Sequence, residues 1–181
     1  APNFDASLNL RHITKWGETV NQVERIPQMM QHAFSQVRNG KGAPVMLETP
    51  VDVGGAEYPG NTIDHHPVRR SAPHADPKDV ADVLHALLGA KTPVIVAGQG
   101  VLYAQATNEL IGLAERLQVP VMTTLNGKSA FPEDHPMALG TGGLTRTRMV
   151  NHFLARADFV LGLGTSFTRS DYTTAVPDGK L

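Results

Sequence analysis

The clearest pattern along the chain lies in its second half. Short continuous apolar runs alternate there with longer stretches whose apolar residues recur every three or four positions. The runs are Pro93-Val94-Ile95-Val96-Ala97, Val119-Pro120-Val121-Met122-Thr123 and Asp158-Phe159-Val160-Leu161-Gly162-Leu163. They are continuous rather than alternating and mostly β-branched or aliphatic, as strands buried on both faces are. The spacing before and between them predicts helices. Asp76-Pro77-Lys78-Asp79 is a helix start, with Asp76 as N-cap, Pro77 at the first position and a carboxylate near the positive end of the dipole. Val80, Val83, Leu84, Leu87 and Leu88 then fall on one face, and Gly89 ends the helix. A second helix is expected from about Ala104 to Leu117, with Leu110, Ile111, Ala114 and Leu117 inward. A third is expected from about Thr145 to Arg156, with Met149, Val150, Phe153 and Leu154 inward. Strands separated by helices predict a parallel sheet with right-handed crossovers. The expected fold class over residues 76–181 is α/β, a doubly wound, Rossmann-like parallel sheet.

The first half is sparser. Ile26, Met29, Met30, Ala33, Phe34 and Val37 share one helix face. Pro27 suits the first turn, and Asn39-Gly40 ends the helix, because glycine takes the left-handed position at low cost. Val45-Met46-Leu47-Glu48-Thr49 reads as a buried strand closed by Pro50. One helix and one strand cannot make a core. Residues 1–52 are therefore expected to lean on something beyond themselves. Residues 53–75 hold Gly54, Gly55, Pro59, Gly60, Pro67 and Pro73 and predict a linker running over a surface. The chain does not begin with Met and ends on Pro177-Asp178-Gly179-Lys180-Leu181, the usual lead into another strand. A truncation is the expectation.

Composition narrows the classes. A net charge of −1 gives no electrostatic case for nucleic acid or an anionic membrane. The absence of cysteine removes disulfides, thiolate metal sites and a cysteine nucleophile, and fits a reducing, cytoplasmic compartment. No apolar run approaches the roughly 20 residues that span a bilayer.

Candidate chemistry gathers at the carboxyl ends of the strands, where open parallel sheets bind ligands. Gly98-Gln99-Gly100 follows the first strand and Thr123, Thr124 and Leu125 the second. Leu139-Gly140-Thr141-Gly142-Gly143 precedes the third helix, and Gly162-Leu163-Gly164-Thr165-Ser166 closes the last strand. Glycines at such places let main-chain N–H groups approach a phosphate; they also simply make tight turns. The third glycine of the dinucleotide fingerprint is missing, and no acidic residue ends the second strand, so a nicotinamide site is not expected. His65 and His66, with Asp64 and His74 near, are adjacent histidines in a proline-rich stretch and more often solvated than chelating. Glu48 ends a strand with no evident partner. Asp134-His135 lacks a placed nucleophile and reads as structural. No G-x-S-x-G, H-E-x-x-H or P-loop occurs.

Taken in order, these segments resemble a known family. Thr92 to Gly100, Leu113-Ala114-Glu115 with Val119 to Thr124, Gly127-Lys128-Ser129-Ala130-Phe131-Pro132-Glu133-Asp134-His135-Pro136, Leu139-Gly140 and Ala157 to Gly164 look like the central domain of thiamine-diphosphate-dependent enzymes, nearest the acetolactate synthase group. The "GK-x-x-FPEDHP" segment is the most specific part. Ile13-Thr14-Lys15-Trp16, Ala33-Phe34, Gly42 to Val45 and Pro50 to Val53 resemble the end of the pyrimidine-binding domain of the same enzymes. The resemblance implies a parent that decarboxylates a 2-oxo acid and joins or releases the aldehyde unit. It would use thiamine diphosphate and magnesium held by flanking domains, in a homo-oligomer. The activating glutamate and the G-D-G motif with its asparagine belong to those flanking domains, so this chain is expected to carry no catalytic residue and to serve as scaffold. Central domains of the family bind FAD, ADP or nothing. By resemblance a nucleotide would meet Gly98, Gly100, Thr124, Leu125, Gly140, Thr141, Gly162 and Gly164. The chain departs from the FAD pattern in three places. Gln99 interrupts the glycines, the next arginine is Arg116, and Gly162-Leu163-Gly164-Thr165 stands where G-x-R is usual, with Arg169 later. The competing reading is a stand-alone nucleotide-binding or structural, oligomer-forming module.

Overall fold

The computed structural model describes residues 4–60, 62–63, 65–168, 170 and 172–176. Asp64, Arg169 and the closing run 177–181, singled out above, lie outside the described residues. The chain divides into two units, Ala1–Pro73 and His74–Leu181.

In the first unit, α1 (Ala6–Leu10) starts on Asp5, whose carboxylate accepts from the Leu8 N–H at 2.7 Å. β1 (Trp16–Thr19) pairs in parallel with β2 (Val45–Glu48), and α2 (Ile26–Arg38) lies between them in sequence. A short helix, α3 (Val51–Gly54), follows. The expectation of one helix and one strand is thus corrected. Trp16-Gly17-Glu18-Thr19 forms a strand that gave no signal, because its four residues are half exposed and show no alternation. The core is small: Val20, Met29 and Val53, with Trp16, Ile26 and Leu47 against it. Only part of the expected α2 face is inward. Met29 and Ala33 are buried, whereas Met30, Phe34 and Val37 are more than two-fifths exposed. Gly40 takes φ +68°, as the expected helix end requires. The last carbonyls of α2 have a further partner: Lys15 Nζ donates to Gln36 O at 2.8 Å and Asn39 O at 2.6 Å, and to Lys41 O just beyond. The proline-rich stretch is fastened along α2. Arg38 donates to Val68 O and the Ser71 N–H donates to Asn39 Oδ1, both at 2.6 Å.

The second unit carries the alternation the sequence announced. α4 (Pro77–Gly89) begins on Asp76, whose side chain accepts from the Lys78 N–H at 2.8 Å. β3 (Pro93–Ala97), β4 (Val121–Thr123), β5 (Ala138–Thr141) and β6 (Phe159–Leu163) form one parallel sheet in the order β5-β4-β3-β6. The helix expected from Ala104 is two: α5 (Gln99–Ala104) and α6 (Thr107–Leu117), broken where Gln105 adopts φ +57°. Residues 138–141, read as part of a glycine loop, are an edge strand, with a register shift against β4 between Val121 and Met122. α7 (Arg148–Arg156) starts on Thr147, whose hydroxyl accepts from the Val150 N–H and donates to Leu139 O at 2.7 Å.

Side chains alternate across the sheet and build two cores, which makes the sheet doubly wound. Ile95, Ala97 and Val121 pack with Leu87, Val101, Leu110, Ala114 and Phe131 on one face. Val94, Val96, Met122 and Val160 pack with Leu139, Val150 and Leu154 on the other. The expected inward face of α4 is corrected in part: Leu87 alone is buried, and Val80, Val83, Leu84 and Leu88 are exposed. On α7, Met149 is likewise exposed.

The amino ends of β3 and β6 are tied by Asp158. Its carboxylate accepts from the Lys91 N–H at 2.7 Å and the Thr92 N–H at 2.9 Å. Those two main-chain donors, led by Lys91, hold its pKa below the ordinary 3.8. A carboxyl whose folded pKa is depressed contributes stability above its unfolded value and loses it as pH falls through the folded value. The melting temperature is therefore expected to fall on the acid side of 3.8. In Asp158→Asn that acid dependence should flatten; an identical pH profile in the two proteins would refute the assignment.

Candidate functional site

The chain runs from β3 to β4 and β5 on one side and returns to β6 on the other, so the strand order reverses between β3 and β6. In sheets of this class such a switch point, at the carboxyl ends, opens the crevice that holds ligands. Here it is closed by glycine against glycine. The Gly98 N–H donates to Leu163 O and the Gly100 N–H to Gly164 O, both at 2.8 Å. A Cβ on Gly100 would stand 2.6 Å from Gly164 Cα, and one on Gly164 would stand 2.5 Å from Val101 N. A Cβ on Gly98 would strike the Gly164 carbonyl, and one on Gly127 would lie 2.6 Å from Ala97 O. Gly164 also needs its glycine for φ +62°. The loops after β3, β4 and β6 thus touch main chain to main chain.

The remaining candidates line the same end of the sheet. The Thr124 N–H donates to Ala97 O at 2.8 Å, and the Thr124 hydroxyl accepts from the Gly127 N–H at 3.1 Å. Leu125 is exposed beside it. Thr141 meets Thr123, hydroxyl to hydroxyl, at 3.1 Å, and the Gly142 N–H donates to Thr123 O at 2.7 Å. Gly140, at φ +93°, lies against the Thr147 methyl. Gly162 lies under the Phe167 ring. The structure therefore brings Gly98, Gly100, Gly164 and Thr124 together, and sets Gly140 and Thr141 apart on the edge strand. Phe167, Thr147 and Thr174 complete this end and were not singled out from sequence. Their only signal is the small residue that each covers.

The groups that meet here are hydroxyls, amides and carbonyls, neutral near pH 7, so they orient and pack rather than move protons. A pyrophosphate is held by free N–H groups at a glycine turn. Those of Gly98 and Gly100 already have main-chain partners, so these residues do not fit a pyrophosphate cradle. Among the described residues no group of three or more His, Cys, Asp or Glu side chains is placed to hold a metal ion. Glu48, read as unpaired, instead accepts from the Ser7 hydroxyl at 2.9 Å and the Thr19 hydroxyl at 3.2 Å. A groove of about 430 Å³ in the first unit is lined by Asp5, Arg11, Lys15 and Trp16, among others. Two of its charges cap helices, as described.

The GK-x-x-FPEDHP segment folds as a strut. Phe131 is buried in the first core, with the His135 ring edge-on at 4.8 Å. The Met137 N–H donates to His135 Nδ1 at 3.1 Å, which leaves Nε2 to donate to Glu115 Oε1 at 3.2 Å. Lys128 pairs with Glu133 at 2.7 Å. His135 is thus held between Phe131, Met137 and Glu115.

Comparisons with known proteins agree on one family. Residues 80–181, more than half of the chain, match the family described as "Thiamine pyrophosphate enzyme, central domain". The acetolactate synthase large subunit of Corynebacterium glutamicum is 34% identical over 179 residues, which cover 93% of this chain. Glyoxylate carboligase of Escherichia coli O157:H7 is 35% identical over 164 residues, 90% of this chain. The chain spans 28% of the length of each. A solved thiamin diphosphate-dependent enzyme from Mycobacterium smegmatis superposes with a TM-score of 0.76 at 28% identity, over 98% of this chain and 33% of that one.

Proposed function

The chain belongs to the thiamine pyrophosphate enzymes, and from that premise we propose that it is the central scaffold of an acetolactate-synthase-like carboligase. In this reading the whole enzyme decarboxylates a 2-oxo acid and joins the resulting aldehyde unit to an acceptor. The acceptor is a second carbonyl compound, as the names of the synthase and carboligase relatives suggest. Thiamine diphosphate and magnesium are held by flanking domains of a cytoplasmic homo-oligomer, and thiamine diphosphate supplies the carbanion chemistry when bound. Residues 1–52 act as the end of the pyrimidine-binding domain, 53–75 as the connection and 76–181 as the central domain.

The observation that carries the scaffold role is the glycine interlock. Donors that a nucleotide would need instead hold β3 to β6. The FAD or ADP contacts that the resemblance places on Gly98 and Gly100 are not carried into the proposal.

Two measurements test it. The purified 181-residue chain, given pyruvate, thiamine diphosphate and magnesium, is expected to form no acetolactate above the protein-free control; turnover would overturn the scaffold role. Sequencing the gene on both sides of these codons is expected to show a downstream G-D-G motif followed by an asparagine. Flanks without it would remove the carboligase assignment.

A further inference from the structure

The Lys15 N–H donates to Pro44 O at 2.8 Å, just ahead of the ladder that joins β1 to β2. That bond fixes where the side chain starts, and the stem reaches the carboxyl end of α2. There Nζ donates to Gln36 O at 2.8 Å, Asn39 O at 2.6 Å and Lys41 O at 3.2 Å. An ammonium has three donors and no acceptor, so its hydrogen bonding is complete. All three partners are main-chain carbonyls.

A lysine that caps a helix reaches the helix's own last carbonyls. Here only Gln36 lies within α2. The other two oxygens come from beyond the helix and are brought round by the chain. Asn39 is extended, at φ −112° and ψ 140°, and Gly40 is left-handed, at φ +68°. The turn carries Lys41 O back to the point that Gln36 O already faces. Carbonyl oxygens gathered about one point replace the hydration shell of a monovalent cation. The negative end of the α2 dipole adds to their field. Solvent has access as well, because Lys15 is exposed and lines the groove of the first unit. Asn39 links this point to the proline-rich stretch. Besides lending its carbonyl to Nζ, it accepts the Ser71 N–H on Oδ1 at 2.6 Å and donates through Nδ2 to Ser35 O at 3.0 Å.

We propose that the oxygens of Gln36, Asn39 and Lys41 form a binding site for a monovalent cation, which the chain fills with its own Lys15 ammonium. The ammonium holds the turn after α2 closed and, through Asn39, keeps Ser71 fastened to it. This goes beyond the scaffold role and does not rest on it.

Hydrogen exchange read by mass spectrometry on the 181-residue chain tests the site, in potassium, ammonium or tetramethylammonium chloride at one ionic strength. Tetramethylammonium carries the same charge but has no N–H to donate and a shell of methyl groups. In that salt, Lys15→Ala is expected to exchange about tenfold faster than wild type in peptides covering 35–44 and 68–72. Potassium or ammonium is expected to slow the variant's exchange there by about threefold or more. The wild-type chain should be indifferent to the salt, because its site is filled. Exchange in Lys15→Ala that is fast and equal in all three salts would overturn the cation site and leave an ordinary helix cap. Exchange at the wild-type rate in tetramethylammonium would overturn the role of the ammonium. A wild-type chain slowed by potassium in these peptides would show that Lys15 does not fill the site. If Lys15→Ala does not fold, Lys15→Arg carries the test. It keeps the charge and a long stem but spreads its donors over a planar fork. Its exchange over 35–44 is expected to be about threefold faster than wild type; an equal rate would overturn a site built for a compact cation.

Discussion

Gly164→Ala is expected to lower the stability of the second unit by about 3 kcal/mol or more. Two costs add at this position. A non-glycine residue at φ +62° costs about 1–2 kcal/mol. A Cβ placed 2.5 Å from Val101 N forces the β6 loop away from α5, and overpacking of this kind costs about 1–3 kcal/mol. For a unit of this size the melting midpoint should drop by roughly 15 °C. Gly98→Ala separates the two costs. Gly98 sits at φ −101°, where alanine is at ease, so its penalty is steric alone. The order of stability should be wild type, then Gly98→Ala, then Gly164→Ala. Calorimetry measures it, and hydrogen exchange in peptides covering β3 and β6 shows where the loss falls. Both variants melting within about 2 °C of wild type would mean that the loops do not interlock.

Phe131→Ala should cost about 3–5 kcal/mol. The ring is 2% exposed and is among the largest side chains buried in either core. Ile95, Ala97, Leu110 and Val121 belong to the same cluster, and residues fixed by both β3 and β4 relax little into a cavity. The His135 ring, edge-on to Phe131, loses its platform as well. Phe131→Leu keeps most of the volume and should cost less than half as much. Chemical denaturation at constant m-value separates the series. Equal midpoints for the alanine and leucine variants would show that the segment is not a core strut.

Much of this fold was legible in sequence, and for identifiable reasons. β3 was visible because burial on both faces leaves a continuous apolar run; β6 has such a run too, although it lies at the edge and only Val160 is buried in it. α4 was visible because Asp76 and Pro77 mark its start chemically, whatever surrounds it. β1 and β5 were not visible. Each has four residues, partly exposed, with a glycine inside, and gains its strand geometry from a neighbour distant in sequence. α5 is a single helical stretch of six residues ended by Gln105 and shows no period to read. Helix faces were over-read. Periodicity shows which residues share a face but not how much of that face is covered, and Val80, Val83, Leu84 and Leu88 show the difference. At the candidate site Gly140 and Gly162 lie within β5 and β6, whereas Gly98, Gly100 and Gly164 follow strand ends as expected. Whether their N–H groups point to a ligand or to Leu163 and Gly164 depends on the order β5-β4-β3-β6. The order of neighbours in a sheet is set by tertiary pairing and is not written in any one segment.

That order also sets a timetable. β3 is the first strand of its sheet to be synthesised, and both of its partners, β4 and β6, follow it in the chain. β6 begins about sixty residues after β3 ends. At about 5–20 residues per second, the ribosome needs roughly 3–12 s to deliver it. For that interval one edge of the most apolar strand in the chain stands open, and the glycine loop behind it has nothing to lock against.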